Sequence, residues 1–431
     1  MSDEMVRNFI GLLKDPAFAA LCKQANESPL SWSAFKKMPM PPGLSAEQAW
    51  RVLNAIRRQT AVLLPFFGTS GRQGWYSATR SIQASLDDIS RRCHEGSWLD
   101  LATKSRNTVY FLIEAHVNDA VTGLREDGLN LGYEKAREVL RGERGPEASE
   151  EVLLLNGHRA VWELERYRDA PCTPELIWDI YRQVAKGAGE QTSLSSRQAS
   201  VLWGSNRFDS TASLLLIARL VNGEGVDSAE HPLLLAMAVR FLFMSTFPLP
   251  AWNGVVSSLI MKLLFLKSRL PVLAFVPILE ACREWEQGII RPPAVAASVK
   301  GSSILIDDEI DYTVYVTVMT QLAQLKLDEV EGELKRVIKR DQVFSQTLRD
   351  DLDINHRQRT VLQMSLSNPA AVFRIESHRK THRVVYATAR ADLLGLVGMG
   401  FLECRRVKRA FEFTVVPGIR QMLVGPAGLR P

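Results

Sequence analysis

The chain has 431 residues and a formal net charge of +5, with 46% hydrophobic and 23% charged residues. These proportions are those of a folded globular protein of two or three domains, and they exclude a disordered or fibrous chain. The five cysteines are dispersed and form no C-x-x-C pair, which disfavours a zinc ribbon or a disulfide framework and favours a reducing cytoplasm.

No membrane segment is expected. The N-terminal stretch MSDEMVRNFIGLLKDP carries acids where a signal peptide needs bases, and its apolar run is short. Arg240 and Lys262 interrupt the two most apolar stretches of the chain, so neither reaches the roughly 18–20 uncharged residues of a membrane span. Both stretches therefore predict core helices.

Apolar residues recur at helical spacing through the first part of the chain. The predicted helices cover Ala46–Leu64, Ser81–Cys93, Asn107–Leu124, Tyr133–Arg141 and Glu150–Tyr167. Thr173 and Pro174 predict the start of another helix, because Thr is a favoured N-cap residue and Pro is tolerated in the first turn. Residues 187–209 are rich in Ser, Gln and Gly and predict a loop or hairpin.

The stretch STFPLPAWNGVVSS at 245–258 lies between the two apolar helices and contains no titratable side chain. Irregular backbone in a core has polar groups that are hard to satisfy, so a buried loop usually holds a ligand or takes part in chemistry. This loop carries no titratable group for such chemistry. After a break at PPAVAAS, residues Ile310–Asp341 predict one long amphipathic helix.

The last part of the chain predicts three short helices followed by a β-hairpin. The helical segments are NHRQRTVLQMSLSN, FRIESHRKTH and VVYATARADLLGLVGMG, and the third ends in glycine as helices often do. FLECRRV and AFEFTVV alternate apolar and polar residues around a basic turn at Lys408 and Arg409. Three helices and a hairpin in this order are typical of a winged helix-turn-helix.

Four stretches carry a resemblance: WSAFKKMPMPPGLSAEQAWRVLNAIRRQ (32–59), YEKAREVLRGERGPEASEEVLLLNGHRAV (133–161), HPLLLAMAVRFLFMSTFPLPAWNG (231–254) and TARADLLGLVGMGFLE (388–403). Together they resemble the Fic family, helical proteins that transfer AMP or related groups from nucleotides to protein hydroxyls. The resemblance implies a mainly α, Fic-type fold with a long N-terminal helical extension and a C-terminal winged helix-turn-helix. We expect the extension at 1–150, the helical core at 151–345 and the winged helix at 351–420.

The family's signature loop, H-P-F-x-D/E-G-N-G-R-x-x-R, is degenerate at 247–258. Pro248, Asn253 and Gly254 keep the family's residues. At the replaced positions, Phe247 stands for the histidine, Leu249 for the phenylalanine, Ala251 for the acid, Trp252 for the first glycine, and Val255 and Ser258 for the two arginines.

Each replacement removes a role that the resemblance would assign. Phe247 cannot accept the proton of a target hydroxyl, and Ala251 cannot hold the magnesium ion that neutralises phosphates. Trp252 fills the space in which backbone N–H groups would hold phosphates, while Val255 and Ser258 supply no cation. We therefore expect a retired active site with no catalytic residue, cofactor or metal, in which Phe247 and Trp252 serve packing.

Many Fic proteins also carry an inhibitory S/T-x-x-x-E-G/N segment whose glutamate blocks the second arginine. The nearest stretch is GLREDGLNL (123–131), in which Asp127 and Gly128 loosely take that place. Because Ser258 replaces the arginine, we expect this acid to have nothing to hold. The pair Asn253-Gly254 is expected to form a turn that caps a helix starting at Val255.

For the other polar residues, a structural role is preferred to a chemical one. The acids within Asp307–Asp311 predict an acidic first turn of the long helix rather than a metal site. His378 and His382 have the i, i+4 spacing of two ligands on one helix face, yet only the distant Cys404 could serve as a third. His231 opens a core helix and is expected to be a cap residue, not a base.

The segment from His356 to Glu412 has eleven Lys and Arg residues against four Asp and Glu. Bases on the turn, helix and wing of a winged helix are where contacts with DNA phosphates form. The candidate DNA-binding residues are Arg379, Lys380, Arg383, Tyr386, Thr388, Arg390, Arg405, Arg406, Lys408 and Arg409. A protein-docking module or a merely solvated basic face is the alternative.

The sequence thus predicts a cytoplasmic, non-catalytic protein that acts as a DNA-binding regulator or assembly subunit through its winged helix. Double-stranded DNA is the expected partner, and a protein partner and a homodimer are left open. Two other functions stay open as well: a nucleotide-dependent transferase with a rebuilt pocket, and a scaffold that binds only proteins.

Overall fold

The computed structural model describes residues 14–27, 32–67, 73–105, 108–188, 210–224, 230–289, 305–306, 309–347, 353–367, 371–407 and 410–423. Helices dominate these ranges, and the prediction of a mainly α protein is confirmed. Within them, no helix has both the length and the apolar character that crossing a bilayer demands. The loop or hairpin predicted at 187–209 lies almost wholly outside the described residues.

Three helices near the N-terminus form a small apolar cluster around Trp50 and Phe35. They are α1 (Pro16–Glu27), α2 (Trp32–Phe35) and α3 (Ala46–Arg58). Ser45 caps α3, because its side chain and that of Gln48 bond each other's backbone N–H groups. Arg57 is buried beside the cluster and donates from Nη2 to the carbonyl of Ala25 at 2.8 Å.

The helix predicted at 46–64 is wrong beyond Arg58. Residues Ala61–Phe67 form strand β1, which pairs antiparallel with β2 (Gln73–Ser77). The run AVLLPFF is apolar throughout, so its pattern fits a helix and a strand equally well. Pro65 cannot donate an intrahelical hydrogen bond, and pairing with β2 settles the conformation as a strand.

Six helices follow, and they are α4 (Arg80–Cys93), α5 (Trp98–Thr103), α6 (Val109–Glu126), α7 (Tyr133–Arg141), α8 (Ser149–Glu163) and α9 (Pro174–Ala185). The short helix at Trp98–Thr103 is not predicted, and the bounds of the other five lie close to the predicted ones. A 3₁₀ turn at Leu164–Tyr167 extends α8. Thr173 caps α9 as predicted, since its hydroxyl oxygen accepts from the N–H of Leu176 at 3.3 Å and Pro174 occupies the first turn.

Helix α12 (Asn253–Lys267) lies at the centre of the main core. It follows α10 (Ser210–Val221) and α11 (Pro232–Thr246), and it precedes a 3₁₀ turn (Pro271–Phe275) and α13 (Ile278–Glu286). Every residue of α12 except the last is buried, as expected for a helix that is apolar on all sides. His231 caps α11 as predicted, accepting from the N–H of Leu233 at 3.1 Å.

One cluster of buried apolar side chains surrounds α12 and extends along the chain from Leu64 to Leu334. It includes residues on both sides of position 150, where the sequence places the end of the N-terminal extension. The domain boundaries themselves stay predictions.

Two short strands, β3 (Leu305–Ile306) and β4 (Glu309–Ile310), precede the long helix α14 (Thr313–Thr347). The predicted helix start at Ile310, with an acidic first turn, is wrong. Asp311 precedes the helix, where its carboxylate accepts from the N–H of Thr313 at 2.8 Å and lies 3.5 Å from the guanidinium of Arg57. An aspartate before a helix satisfies its free N–H groups instead of joining its first turn.

The C-terminal module, meaning the described residues from 353 to 423, has its own apolar cluster around Leu362, Leu393 and Phe413. Its elements are α15 (His356–Ser367), β5 (Val372–Arg374), α16 (Ile375–His382), α17 (Tyr386–Gly398), β6 (Leu402–Val407), β7 (Ala410–Val415) and α18 (Ile419–Leu423). The predicted hairpin is confirmed, since β6 and β7 pair antiparallel along their length. Strand β5 adds a third strand beside β7, at the start of a segment that the sequence predicts as helix throughout.

Candidate functional site

The loop between α11 and α12 turns sharply inside the core. Phe247 and Trp252, at its two ends, have left-handed backbone with φ of 43° and 59°, a conformation that costs a non-glycine residue about 1–2 kcal/mol. Such strain persists only where the surroundings hold it in place. Trp252 is only 3% exposed, which confirms it as a packing residue, whereas Phe247 is half-buried.

Asn253 closes the loop on itself. Its Oδ1 accepts from the N–H of Leu249 at 3.1 Å, and its Nδ2 donates to the carbonyl of Leu249 at 2.9 Å. Helix α12 begins at Asn253, so the predicted turn at Asn253-Gly254 with a helix from Val255 is wrong by two residues. The amide side chain satisfies loop backbone that water cannot reach, because Asn253 is fully buried.

Asp127 follows the last residue of α6 and reaches the first turn of α12. Its Oδ1 accepts from the N–H of Gly254 at 2.8 Å, and its Oδ2 accepts from the N–H of Val255 at 3.0 Å. The expectation that this acid has nothing to hold is therefore wrong. It holds the two N–H groups that open the helix, and burial raises the pKa of Asp127 to about 6 although both hydrogen bonds favour the carboxylate.

Gly254 lets α6 and α12 approach this closely. A Cβ atom at this position would lie 2.5 Å from the carbonyl oxygen of Gly123 and 3.1 Å from Oδ2 of Asp127. Any larger residue would push α12 away from α6. The contact between the two helices is thus sufficient to require a glycine here.

Arg240 of α11 is a buried cation beside the loop. In the sequence alone it is recognisable only as an interruption of an apolar stretch. Its Nη1 donates to Oγ of Ser257 at 2.7 Å, and its Nη2 forms an ion pair with Glu126. Burial lowers the pKa of Arg240 to about 10, so the side chain stays charged at neutral pH. A lone arginine in an otherwise apolar helix is the sequence signal that could have identified it.

These contacts decide what the loop can do chemically. The free N–H groups at a helix start can bind a phosphate, but here the carboxylate of Asp127 occupies those of Gly254 and Val255. The charge of the nearby Arg240 is balanced by Glu126. Ser258, at the position of the second arginine, is buried and neutral.

The C-terminal module brings only some of its predicted DNA-binding residues to the surface. The exposed ones are Arg383, Tyr386, Arg390, Arg405 and Arg406, and the half-buried ones are Arg379, Lys380 and Thr388. Val385 stands at the N-cap of α17 without a side-chain cap, as the sequence indicates. Lys408 and Arg409 lie outside the described residues.

Other candidate bases already have partners. Arg379 pairs with Glu376 at 2.7 Å, and Lys380 lies 3.8 Å from the same carboxylate. The guanidinium carbon of Arg383 lies 3.6 Å from the ring centre of Trp162 in α8, so this side chain faces the helical core.

Asp392 of α17 anchors a buried network inside the module. Its carboxylate accepts from Nε of Arg357 at 2.5 Å and from Nδ2 of Asn355 at 2.8 Å, and it contacts Nε2 of His378 at 3.1 Å. The rings of His378 and His382 lie 4.6 Å apart. Across the described ranges, no group of three or more His, Cys, Asp or Glu side chains has a geometry for a metal ion.

Comparison with known proteins adds little. No protein-family model matches the sequence, and no curated protein matches it. Among solved structures, the crystal structure of a Fic family protein from Desulfovibrio desulfuricans G20 is similar over 79% of this chain and 98% of its own, with 13% sequence identity and a TM-score of 0.43. At this TM-score the similarity carries no argument about function, which has to come from the residues of the chain itself.

Proposed function

We propose that the chain is a non-catalytic, Fic-like helical protein that acts as a DNA-binding regulator or assembly subunit through a C-terminal winged helix. The proposal has two parts: a core in which the former active-site loop is closed, and a module that contacts duplex DNA. Each part is supported by different residues and can fail separately.

The closed loop is supported above all by Asp127. Its carboxylate occupies the backbone N–H groups of Gly254 and Val255, and an anion such as a nucleotide phosphate would have to displace it. Like charges repel strongly in a buried, low-dielectric site. Trp252 fills the space beside this turn. Phosphoryl transfer depends on electrostatic stabilisation, and Asp127 places a competing negative charge at the start of α12 instead.

DNA binding is supported by the charge and exposure of the module. Each of the four acids between His356 and Glu412 (Glu376, Asp392, Glu403 and Glu412) pairs with a base of the module. Arg390 on α17 and Arg406 on β6 are exposed and point to a face on which positive charge is in excess. Helix α17 would enter the major groove, and the β6–β7 hairpin would lie along the phosphates.

A protein-binding scaffold is the second candidate, and the outward side of α17 favours it. Ala387, Ala391 and Leu394 are exposed there, and Val385 before the helix is 68% exposed. Apolar side chains of this kind recognise few groups on base edges other than the methyl group of thymine. A nucleotide-dependent transferase is the third candidate, and it would have to use Arg240 as its phosphate-binding cation after losing Glu126 as a partner.

A salt titration of duplex binding tests the proposal. For the wing variant Arg405→Ser/Arg406→Ser, affinity should fall for every sequence, because phosphate contacts carry no sequence information. The slope of log K against log salt should flatten by about 0.9 for each phosphate that the variant no longer neutralises.

Arg182→Ser is the matched control, since Arg182 is an exposed arginine of the helical core and its removal should leave the slope unchanged. Wild-type binding no tighter than the micromolar, non-specific range for every sequence tried would favour the protein scaffold. A rise in melting temperature with ATP and magnesium would favour the transferase.

A further inference from the structure

The C-terminal module contacts the helical core through α16 and the turn after it. Nη1 of Arg374 donates to the carbonyl of Glu143, and Oγ of Ser377 donates to the carbonyl of Arg141. Both carbonyls flank Gly142, which ends α7 with a left-handed φ of 73°. These contacts seat the start of α16 on the turn between α7 and α8.

Arg383 makes a further contact of this joint, and α16 also lies close to α6. It ends α16 with a left-handed φ of 51°, and its guanidinium stacks on Trp162. The indole is fixed from the core side, because its Nε1 donates to Nε2 of His158 at 3.3 Å and its ring lies 6.0 Å from that of Phe275. A flat cation on the face of a tryptophan is the most favourable form of this interaction.

The joint is polar, and the apolar cores on either side of it are separate. The buried cluster around Leu393 does not merge with the one that surrounds α12. Hydrogen bonds from side chains to carbonyl groups and one cation–π stack are contacts that water can replace. Polar contacts between parts of one chain permit relative movement of the parts they join.

The position of Arg383 in the module connects this movement with DNA binding. It lies in the turn between α16 and α17, two residues before Val385 and three before Tyr386, which are both exposed. In the proposed DNA complex this turn is next to the phosphate backbone. While its guanidinium lies on Trp162, the indole covers one side of it, although the Arg383 side chain as a whole is exposed.

We infer that the Arg383–Trp162 stack is a latch that holds the module against the core, and that the phosphate backbone of duplex DNA competes with Trp162 for Arg383. The closed state is then autoinhibited, and DNA binding opens it. This inference rests on the proposed DNA binding, whereas the latch itself can be measured without DNA.

Two substitutions of Arg383 separate its roles. Arg383→Lys keeps the positive charge but loses the flat stacking surface, and Arg383→Asn tolerates the left-handed backbone but loses both. Amide hydrogen exchange of 375–384 should rise in both variants, because each opens the latch. Duplex affinity at low salt should rise severalfold in the Lys variant alone. The slope of log K against log salt should be smaller in magnitude for the Asn variant than for the Lys variant by about 0.9, the value for one phosphate contact.

A reversible lock provides the converse test. A Cβ atom at position 142 would lie 3.7 Å from Cβ of Ser377, which is within the range for a disulfide. We therefore expect Gly142→Cys/Ser377→Cys to bind duplex weakly when oxidised and to regain affinity when reduced. A cysteine at the left-handed position 142 introduces strain. Circular dichroism of both forms shows whether the variant is folded, and duplex binding by the reduced form shows whether the strain alone weakens binding.

The outcomes distinguish the latch from the proposed function. Unchanged exchange of 375–384 in both Arg383 variants overturns the latch and leaves DNA binding standing. Equal duplex affinity of the oxidised and reduced lock overturns the competition for Arg383. A third outcome is faster amide exchange in the Arg383 variants while no variant, including the reduced lock, binds duplex DNA. This outcome overturns the proposed DNA binding and, with it, the competition for Arg383.

Discussion

Asp127 and Trp252 act on the same turn of helix α12 in different ways. Asp127 satisfies the N–H groups of Gly254 and Val255 with a buried carboxylate, and Trp252 fills space at the N-cap. Neither contact depends on a bound ligand. The first turn of α12 is therefore held by the chain's own side chains.

Asp127→Asn should change how stability depends on pH. Burial raises the folded-state pKa of Asp127 to about 6 from an ordinary value of 3.8. Its contribution to stability is therefore fully present below about pH 4 and is lost as the pH rises through 6. The unfolding free energy of the Asn variant minus that of wild type should therefore be higher at pH 7 than at pH 4.5, by on the order of 2 kcal/mol.

Urea unfolding of both proteins at the two pH values measures this difference. Other groups that titrate in this range, such as His158 and His231, whose pKa values burial lowers to about 4, are common to both proteins and cancel. An equal stability difference at pH 4.5 and pH 7 would show that folding does not raise the pKa of Asp127.

Trp252→Ala should destabilise the protein by about 3–5 kcal/mol, as large-to-small changes in a core do. The side chain is 3% exposed and belongs to the main apolar cluster. Trp98→Ala is the matched control, because Trp98 is 47% exposed and should cost far less. Urea unfolding at neutral pH gives both values, and a near-neutral Trp252→Ala would place this ring at a binding surface instead.

At the scale of single elements, the sequence predicts regular helices well and their long-range partners poorly. Helix α7 begins and ends where predicted, because glycines stand at both ends. Strand β1 is missed, because AVLLPFF has no period that separates strand from helix. The role of Asp127 is missed because its partners are backbone N–H groups 127 and 128 positions away in sequence, which no side-chain pattern reveals.

Helix α17 would carry the sequence preference of the proposed DNA complex. Arg390 is exposed on it, and an arginine in the major groove commonly reads guanine through two hydrogen bonds. Arg390→Ala should therefore cost about 1–3 kcal/mol at one base position and little on other sequences. Binding to a library of duplexes measures this, and a uniform weakening across all sequences would assign Arg390 to phosphate contact.

At the scale of the whole molecule, a closed core and a charged module are joined by a few polar contacts. The core surrounds α12 from Leu64 to Leu334, and the module packs around Phe413. Charge is balanced where side chains are buried, as at Arg240 and Glu126, and is in excess on the outer face of the module. The proposed binding function rests on this arrangement.

The central claim is that the loop at 247–258 performs no transfer chemistry. The most direct measurement is incubation of the protein, alone and with a cell lysate, with labelled ATP, UTP or CDP-choline in magnesium-containing buffer. Because Phe247 is no base and Asp127 holds the start of α12, we expect no transfer of AMP, UMP or phosphocholine above the background without protein. Robust transfer by the wild type that disappears in Arg240→Lys would contradict this and identify a rebuilt active site.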